Sequence, residues 1–236
     1  MDIRLREAQK KFLEIFVQKA TTFAIAGGTA LELYYLNHRF SADLDFFSPR
    51  YEVPEIEKVV SAFSNFLKRR VKLETEFTTN EKAKVRFYTV SIRGSRRPLK
   101  IDFVEDVIFK KPKINKFKGV RVYSAKSIYL QKLLAITGTT SAIDDIGRQI
   151  ASGRREARDV FDMYMLSKKI KPLNMFLKEA SPQIQRGIIH WYRTFSRQDC
   201  KLALLDLDIY DKKFNAKDMI VYLEREIEQF MKNIIE

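Results

Sequence analysis

The chain has 236 residues, a formal net charge of +14 at pH 7 and 45% hydrophobic residues, an ordinary globular composition long enough for one large domain or two small ones. Its one cysteine, Cys200, excludes an intrachain disulfide, and with only His38 and His190 beside it the ligands of a structural zinc site are lacking. No apolar run reaches the roughly 18 residues of a membrane span, and the charged start Met1-Asp2-Ile3-Arg4-Leu5-Arg6 has no signal-peptide core, which predicts a cytoplasmic protein with no membrane partner.

Residues 4–19 predict an amphipathic helix with Leu5, Phe12, Ile15 and Phe16 on one side. Phe23-Ala24-Ile25-Ala26 predicts a short buried strand ending in the tight turn Gly27-Gly28, after which Thr29 is expected to cap a helix reaching about His38. Asp43 to Phe47 predicts a second strand, stopped by Ser48-Pro49. A helix near 54–69 follows, then strands at 71–78, 84–93 and 98–104, the last two joined by a hairpin loop over Arg93–Pro98, and a short strand near 119–123. After Ser124 every segment reads as helix: 125–138, 142–152, 155–169, 173–178, 182–195, 198–206 and 216–235, with Pro172 and Pro182 at boundaries. Segregation of this kind predicts an α+β fold: an α/β core with a mixed sheet over residues 1–123, then a helical half over 124–236.

The chemistry concentrates in Ala26-Gly27-Gly28-Thr29-Ala30 and His38-Arg39-Phe40-Ser41-Ala42-Asp43-Leu44-Asp45-Phe46-Phe47. Alternate side chains of a strand share a face, so Asp43 and Asp45 are expected to project together while Leu44 is buried. Two adjacent carboxylates repel unless a cation lies between them, and oxygen ligands suit a hard ion such as Mg²⁺ or Mn²⁺. Asp102, the lone charge in the apolar stretch Ile101-Asp102-Phe103-Val104, is the candidate third carboxylate of a two-metal site, in which one ion activates an attacking hydroxyl and the other holds a triphosphate. Gly27 and Gly28 allow close backbone approach, and Thr29 at a helix start offers a hydroxyl to the same anion. The spacing fits neither a P-loop nor a dinucleotide fingerprint. Arg39 can hold a phosphate bidentately or prop Asp43 or Asp45, and His38 reads as a helix C-terminal residue rather than a base.

These two motifs resemble the AbiEii/AbiGii family of nucleotidyltransferase toxins almost position by position. The resemblance continues at Lys100-Ile101-Asp102-Phe103, at Ser127-Ile128-Tyr129-Leu130-Gln131-Lys132-Leu133 and at Arg158-Asp159-Val160-Phe161-Asp162-Met163-Tyr164-Met165-Leu166, spanning roughly residues 20–167. It implies a polymerase-β-like fold whose helical half completes the cleft, and a toxin of a bacterial toxin–antitoxin or phage-defence system, with a cognate antitoxin as partner. It further implies a nucleoside triphosphate substrate and, for some members, nucleotide transfer to the 3′ end of tRNA. By that resemblance Asp43 and Asp45 bind metal, Lys132 (with Lys126 as the alternative) contacts the triphosphate, and Asp159 is a further active-site acid. Read from the residues alone, Asp159 and Asp162 share a helix face beside Arg155 and Arg158, which also suits a structural ion cluster.

The positive charge gathers at Lys68–Arg70, Arg93–Arg97, Lys110–Lys118, Arg148–Arg158 and Lys168–Lys171, and a field of this kind attracts an RNA backbone. Tyr129, Trp191 and Tyr192 are candidate stacking residues, with core packing the expected role of Trp191. The competing expectations are a small-molecule or protein acceptor, and a binding module without catalysis.

Overall fold

A computed structural model describes residues 1–79, 82–138, 141–143, 149–151, 153–154 and 156–235. The chain divides into two compact units: Met1–Tyr35 with Phe40–Ser124, and Leu36–Arg39 with the chain from Ala125 onward.

The first unit contains α1 (Ile3–Lys19), β1 (Ala24–Ala26), α2 (Gly27–Leu31) running into a π-helical turn (Glu32–Leu36, its last residue counted with the second unit), β2 (Leu44–Ser48) and α3 (Val53–Leu67), followed by five strands: β3 (Lys72–Thr78), β4 (Lys84–Val90), β5 (Leu99–Glu105), β6 (Ile114–Phe117) and β7 (Val120–Tyr123). Its seven strands form one mixed sheet in the order β3-β4-β5-β2-β1-β7-β6. β2 runs parallel to β5 and β1 parallel to β7, and the remaining neighbours are antiparallel.

One face of this sheet is sealed by an aromatic core. Phe12 and Phe16 of α1, Phe63 of α3, Phe46 of β2 and Phe103 of β5 are all 0–1% exposed. Phe46 lies at its centre, with ring centroids 4.3 Å from Phe16, 5.4 Å from Phe12 and 5.2 Å from Phe103. The helices are there for a periodic reason. Leu5, Phe12 and Phe16 fall on one stripe of α1, and Ile56, Val59, Val60 and Phe63 on one stripe of α3. Asp2 caps α1 by accepting the Leu5 N–H at 3.0 Å.

The second unit contains α4 (Ala125–Thr137), a two-stranded pair of β8 (Ser141–Ile143) and β9 (Gln149–Ala151), α5 (Ala157–Lys169), α6 (Leu173–Lys178), α7 (Pro182–Thr194), α8 (Arg197–Leu204) and α9 (Ala216–Ile235). α4 packs on α5 and α7, and α9 on α6. Tyr129, Phe161, Met163, Leu166, Leu177, Ile188 and Phe230 fill the core. Trp191 is also core, 3% exposed and stacked on Phe195 at 4.2 Å, and Tyr129 is fully buried against Phe176.

Three expectations about elements are corrected. The helix expected over 142–152 is replaced, in its described residues, by β8 and β9, because runs this short carry no periodicity that separates helix from strand; residues 144–148 and 152 of that span lie outside the described residues. The basic stretch Lys110–Lys118 contains β6, an unexpected strand hidden by its lysines. It pairs with β7 through the two-residue turn Lys118-Gly119, both at positive φ as a type I′ hairpin requires. Lastly, α2 begins at Gly27, so Thr29 lies inside the helix; Ala26 occupies the cap position with no side-chain bond.

Phe46→Ala should lower the stability of the protein by about 3–5 kcal/mol, the cost of emptying a fully packed aromatic site, whereas Phe77→Ala on edge strand β3 should cost no more than about 1 kcal/mol. Urea unfolding of both variants measures the contrast.

Candidate active site

The alternation that builds the aromatic core also turns two carboxylates away from it. Leu44 and Phe46 of β2 and Ile101 and Phe103 of β5 are fully buried, and Asp45 and Asp102 between them are half-buried on the opposite face. Asp45 and Asp102 are direct register partners across the parallel β2–β5 pair. Neighbouring strands lie about 5 Å apart, so the two acids stand side by side. Asp43, also half-buried, stands one residue ahead of β2.

β1 brings the glycine turn to the same place. Ala26 is the register partner of Asp45 on the other side, and the chain turns at once into Gly27. Gly27 has φ +65°, and a Cβ there would fall 2.1 Å from Asp45 Oδ2. Only glycine fits, on both conformational and steric grounds. Thr29 is placed differently from the expectation that it faces an anion. It is fully buried, and its hydroxyl donates inward to the Asp43 carbonyl oxygen, with the Ser41 oxygen at 3.4 Å. Gly28 is buried and Gly27 half-buried, so of the expected phosphate-facing trio Gly27 alone reaches the surface.

Among the described residues, no three His, Cys, Asp or Glu side chains are gathered into a ready metal cage. The paired side chains of Asp45 and Asp102 offer oxygen donors, which suit Mg²⁺ or Mn²⁺ rather than zinc. Mg²⁺ is usually held by one or two carboxylates and completes its shell with water and substrate phosphate. The all-oxygen donor pair, with the Asp45 carboxylate close against the Gly27 backbone, fits such an ion.

The second unit carries its own polar centre. Asp162 of α5 is completely buried and accepts from Arg39 Nε and Nη2, both at 2.8 Å, while His38 Nε2 lies 2.8 Å from its Oδ1. Lys132 Nζ of α4 bridges Asp159 Oδ1 at 2.6 Å and Asp162 Oδ2 at 2.9 Å. Two cations thus face two carboxylates in a nearly dry site. Burial opposes ionisation of Asp162, but the charges of Arg39 and Lys132, with hydrogen bonds from His38 and Arg39, outweigh it and hold the acid well below the usual carboxylate range. Burial likewise works against the Lys132 ammonium, and Asp162 and Asp159 overcome it, raising its pKa. Asp159 Oδ2 and His38 Nδ1 are buried without a hydrogen-bond partner, and the exposed Arg154 Nε lies 3.8 Å from that oxygen.

Arg39 donates from Nε and Nη2 to Asp162, 123 residues away in sequence. His38 belongs to the same centre, and its backbone oxygen accepts from Tyr210 N at 3.0 Å. Arg158 pairs with Glu156, and Arg155 lies outside the described residues. Lys132 is 9% exposed, whereas Lys126 in the first turn of α4 is exposed. The sequence did hold a signal for this centre: an i, i+3 acid pair on the apolar face of α5.

Asp162→Ala leaves buried cations uncompensated and should destabilise the protein by about 3–5 kcal/mol. The pH dependence follows from the two shifts. A depressed Asp162 contributes stability that is complete above the ordinary carboxylate pKa of about 4 and is lost only as acid titrates the folded form below it. A raised Lys132 contributes stability that is complete below its ordinary pKa of about 10.4 and is lost as pH rises through the folded value. Thermal unfolding of the wild type between pH 5 and 9 should show no loss from this cluster, and Lys132→Met should melt lower across that whole range.

A family model described as the nucleotidyl transferase AbiEii toxin of type IV toxin–antitoxin systems matches residues 11–233. Among solved structures, JHP933 from Helicobacter pylori superposes with a TM-score of 0.59 at 18% identity, over 98% of this chain and 92% of its own. A second H. pylori protein, described as a candidate nucleotidyltransferase, gives a TM-score of 0.59 at 18% identity over 98% and 95%. The Megavirus polyadenylate synthase aligns at a TM-score of 0.43 and 16% identity, over 79% of this chain and 39% of its own. No curated protein sequence matches. The two H. pylori structures share the fold, a mixed seven-stranded sheet with helices in the polymerase-β-like α+β manner, and the family match over nearly the whole length makes the chain a member of the AbiEii nucleotidyltransferase toxin family.

Proposed function

We propose that this nucleotidyltransferase transfers a nucleotide from a nucleoside triphosphate to RNA, with the 3′ end of tRNA as the acceptor, and that Asp43, Asp45 and Asp102 hold Mg²⁺ or Mn²⁺ for the reaction. The observation that supports this most is the register of Asp45 on Asp102 beside Gly27. When bound, the metal supplies charge neutralisation of the triphosphate and a more acidic acceptor hydroxyl. Asp45 and Asp102 are oriented by their strands before any ligand arrives, so little reorganisation is needed. Gly27, having no side chain, lets the Asp45 carboxylate lie close against the backbone at the turn. In the transfer, the acceptor hydroxyl oxygen forms a bond to the α-phosphorus, the bond to the β-phosphate oxygen breaks, pyrophosphate leaves and the hydroxyl proton passes to water.

Of the two lysines, Lys126 is assigned the triphosphate contact because its ammonium is at the surface, while Lys132, clamped by two aspartates, acts with Asp159 as a positioning pair inside its unit. The net charge of +14 favours RNA over a cationic small molecule as acceptor. The protein is assigned to the bacterial cytoplasm, where tRNA and nucleoside triphosphates are available, and an antitoxin encoded beside it would oppose its action on that RNA.

Incubation with each labelled nucleoside triphosphate, Mg²⁺ and total tRNA should label the RNA. Asp45→Asn and Asp102→Asn should each lower transfer by at least about 100-fold, the order expected when an oriented group acting on the transition state is removed. Lys126→Ala should raise KM for the triphosphate. Label appearing on protein or a small molecule, or none with any of the four nucleotides, would overturn the RNA assignment.

A further inference from the structure

We infer that Gln9 and Thr29, backed by the Arg6–Glu32 ion pair, are positioning residues for Asp43, an inference that rests on the metal-holding role proposed above for that aspartate.

The segment Ser41-Ala42-Asp43 leads into β2, and its backbone is gripped from three elements. Gln9 Nε2 of α1 donates to the Ser41 and Ala42 carbonyl oxygens, each at 2.9 Å. Thr29 of α2 donates its hydroxyl to the Asp43 carbonyl oxygen. Glu32 of the π-helical turn accepts the Ser41 N–H on Oε2 at 2.8 Å, while its Oε1 pairs with Arg6 of α1, whose guanidinium carbon lies 4.8 Å over the Phe40 ring. Gln9 and Thr29 are fully buried, Glu32 is 4% and Arg6 7% exposed.

Three consecutive carbonyls thus take hydrogen bonds from dry side chains. Buried polar groups are costly unless paired, so the backbone of this segment has one satisfied arrangement and is penalised for leaving it. That arrangement fixes the direction in which the Asp43 side chain departs. Packing alone does not explain Gln9. It interrupts the apolar stripe of Leu5, Phe12 and Phe16, where a leucine would bury more apolar surface. Its orientation is set by chemistry, since only the amide nitrogen can face two carbonyl oxygens. None of these side chains is offered as a ligand; each acts through the backbone that carries Asp43, in the way outer-shell groups orient a metal ligand.

The test is a Mn²⁺ titration followed by EPR of the free ion, on full-length wild type, Asp45→Asn, Gln9→Met, Gln9→Glu, Thr29→Val and Thr29→Ser, with circular dichroism melts for each. Gln9→Met and Thr29→Val should weaken Mn²⁺ binding by about 10–100-fold. Gln9→Glu, which sets a carboxylate against two carbonyls, should be weaker still, and Thr29→Ser should restore binding because it keeps the hydroxyl. In transfer assays the metal concentration for half-maximal rate should rise while KM for the triphosphate at saturating metal stays put. Folded Gln9→Met and Thr29→Val that bind Mn²⁺ as the wild type does would overturn the inference. If Gln9 variants fail to fold, the Thr29 pair decides: weak binding with Val and restored binding with Ser upholds it, equal binding overturns it. A wild type that binds Mn²⁺ no better than Asp45→Asn would remove the metal-site reading itself, and this inference with it.

Discussion

The constraint on which the sheet unit depends is the pairing of β2 with β5 in a register that sets Asp45 against Asp102. Strand periodicity gives each strand one apolar and one functional face, so sealing Phe46 and Phe103 into the aromatic core necessarily sets the two carboxylates on the other side. A one-residue slip of β2 would turn Asp45 into the core and Phe46 out of it. The hydrophobic energy of the core, several kcal/mol for Phe46 and Phe103 together by transfer scales of about 1.5–3 kcal/mol per side chain, therefore holds the two acids side by side. Stability is built on one face, and the carboxylates stand on the other. Gly27 adds the second condition, since any side chain there would collide with Asp45.

The helical unit solves the opposite problem. Asp159, Asp162, Lys132 and Arg39 are charges taken out of water, and they persist because each is met by an opposite charge at hydrogen-bond distance. Such a centre adds little net stability compared with an apolar core, but breaking it is costly, so it tolerates few substitutions. It also ties Leu36–Arg39 to residues far along the chain, through the Arg39–Asp162 fork and the Tyr210 N–H on the His38 carbonyl. The motif His38-Arg39-Phe40-Ser41-Ala42-Asp43 thus serves two ends. Its first two residues anchor the helical unit, and its last three lead into the carboxylate strand.

Local periodicity made much of this legible. β2 and β5 were readable because their apolar residues alternate around a lone acid, and α1, α3 and α5 because their apolar residues recur at helical spacing. β6 was hidden because Lys116 and its neighbours look like a solvated basic loop, although Lys118-Gly119 was a readable hairpin signal. The π-helical turn at Glu32–Leu36 has no composition signal. Partners distant in sequence were not readable: nothing around Arg39 names Asp162, and nothing around Thr29 says that its hydroxyl faces inward. Gln9 was the missed clue, a polar residue at i+4 from Leu5 on an otherwise apolar stripe.

The central claim is that Asp45 and Asp102 act as one unit on one substrate. A double-mutant cycle on the rate of nucleotide transfer tests it directly, using Asp45→Asn, Asp102→Asn and the double variant. Groups that serve the same step are strongly non-additive, so the double variant should be scarcely slower than either single one. Losses that multiply, or an Asp102→Asn variant with wild-type rate, would contradict the account.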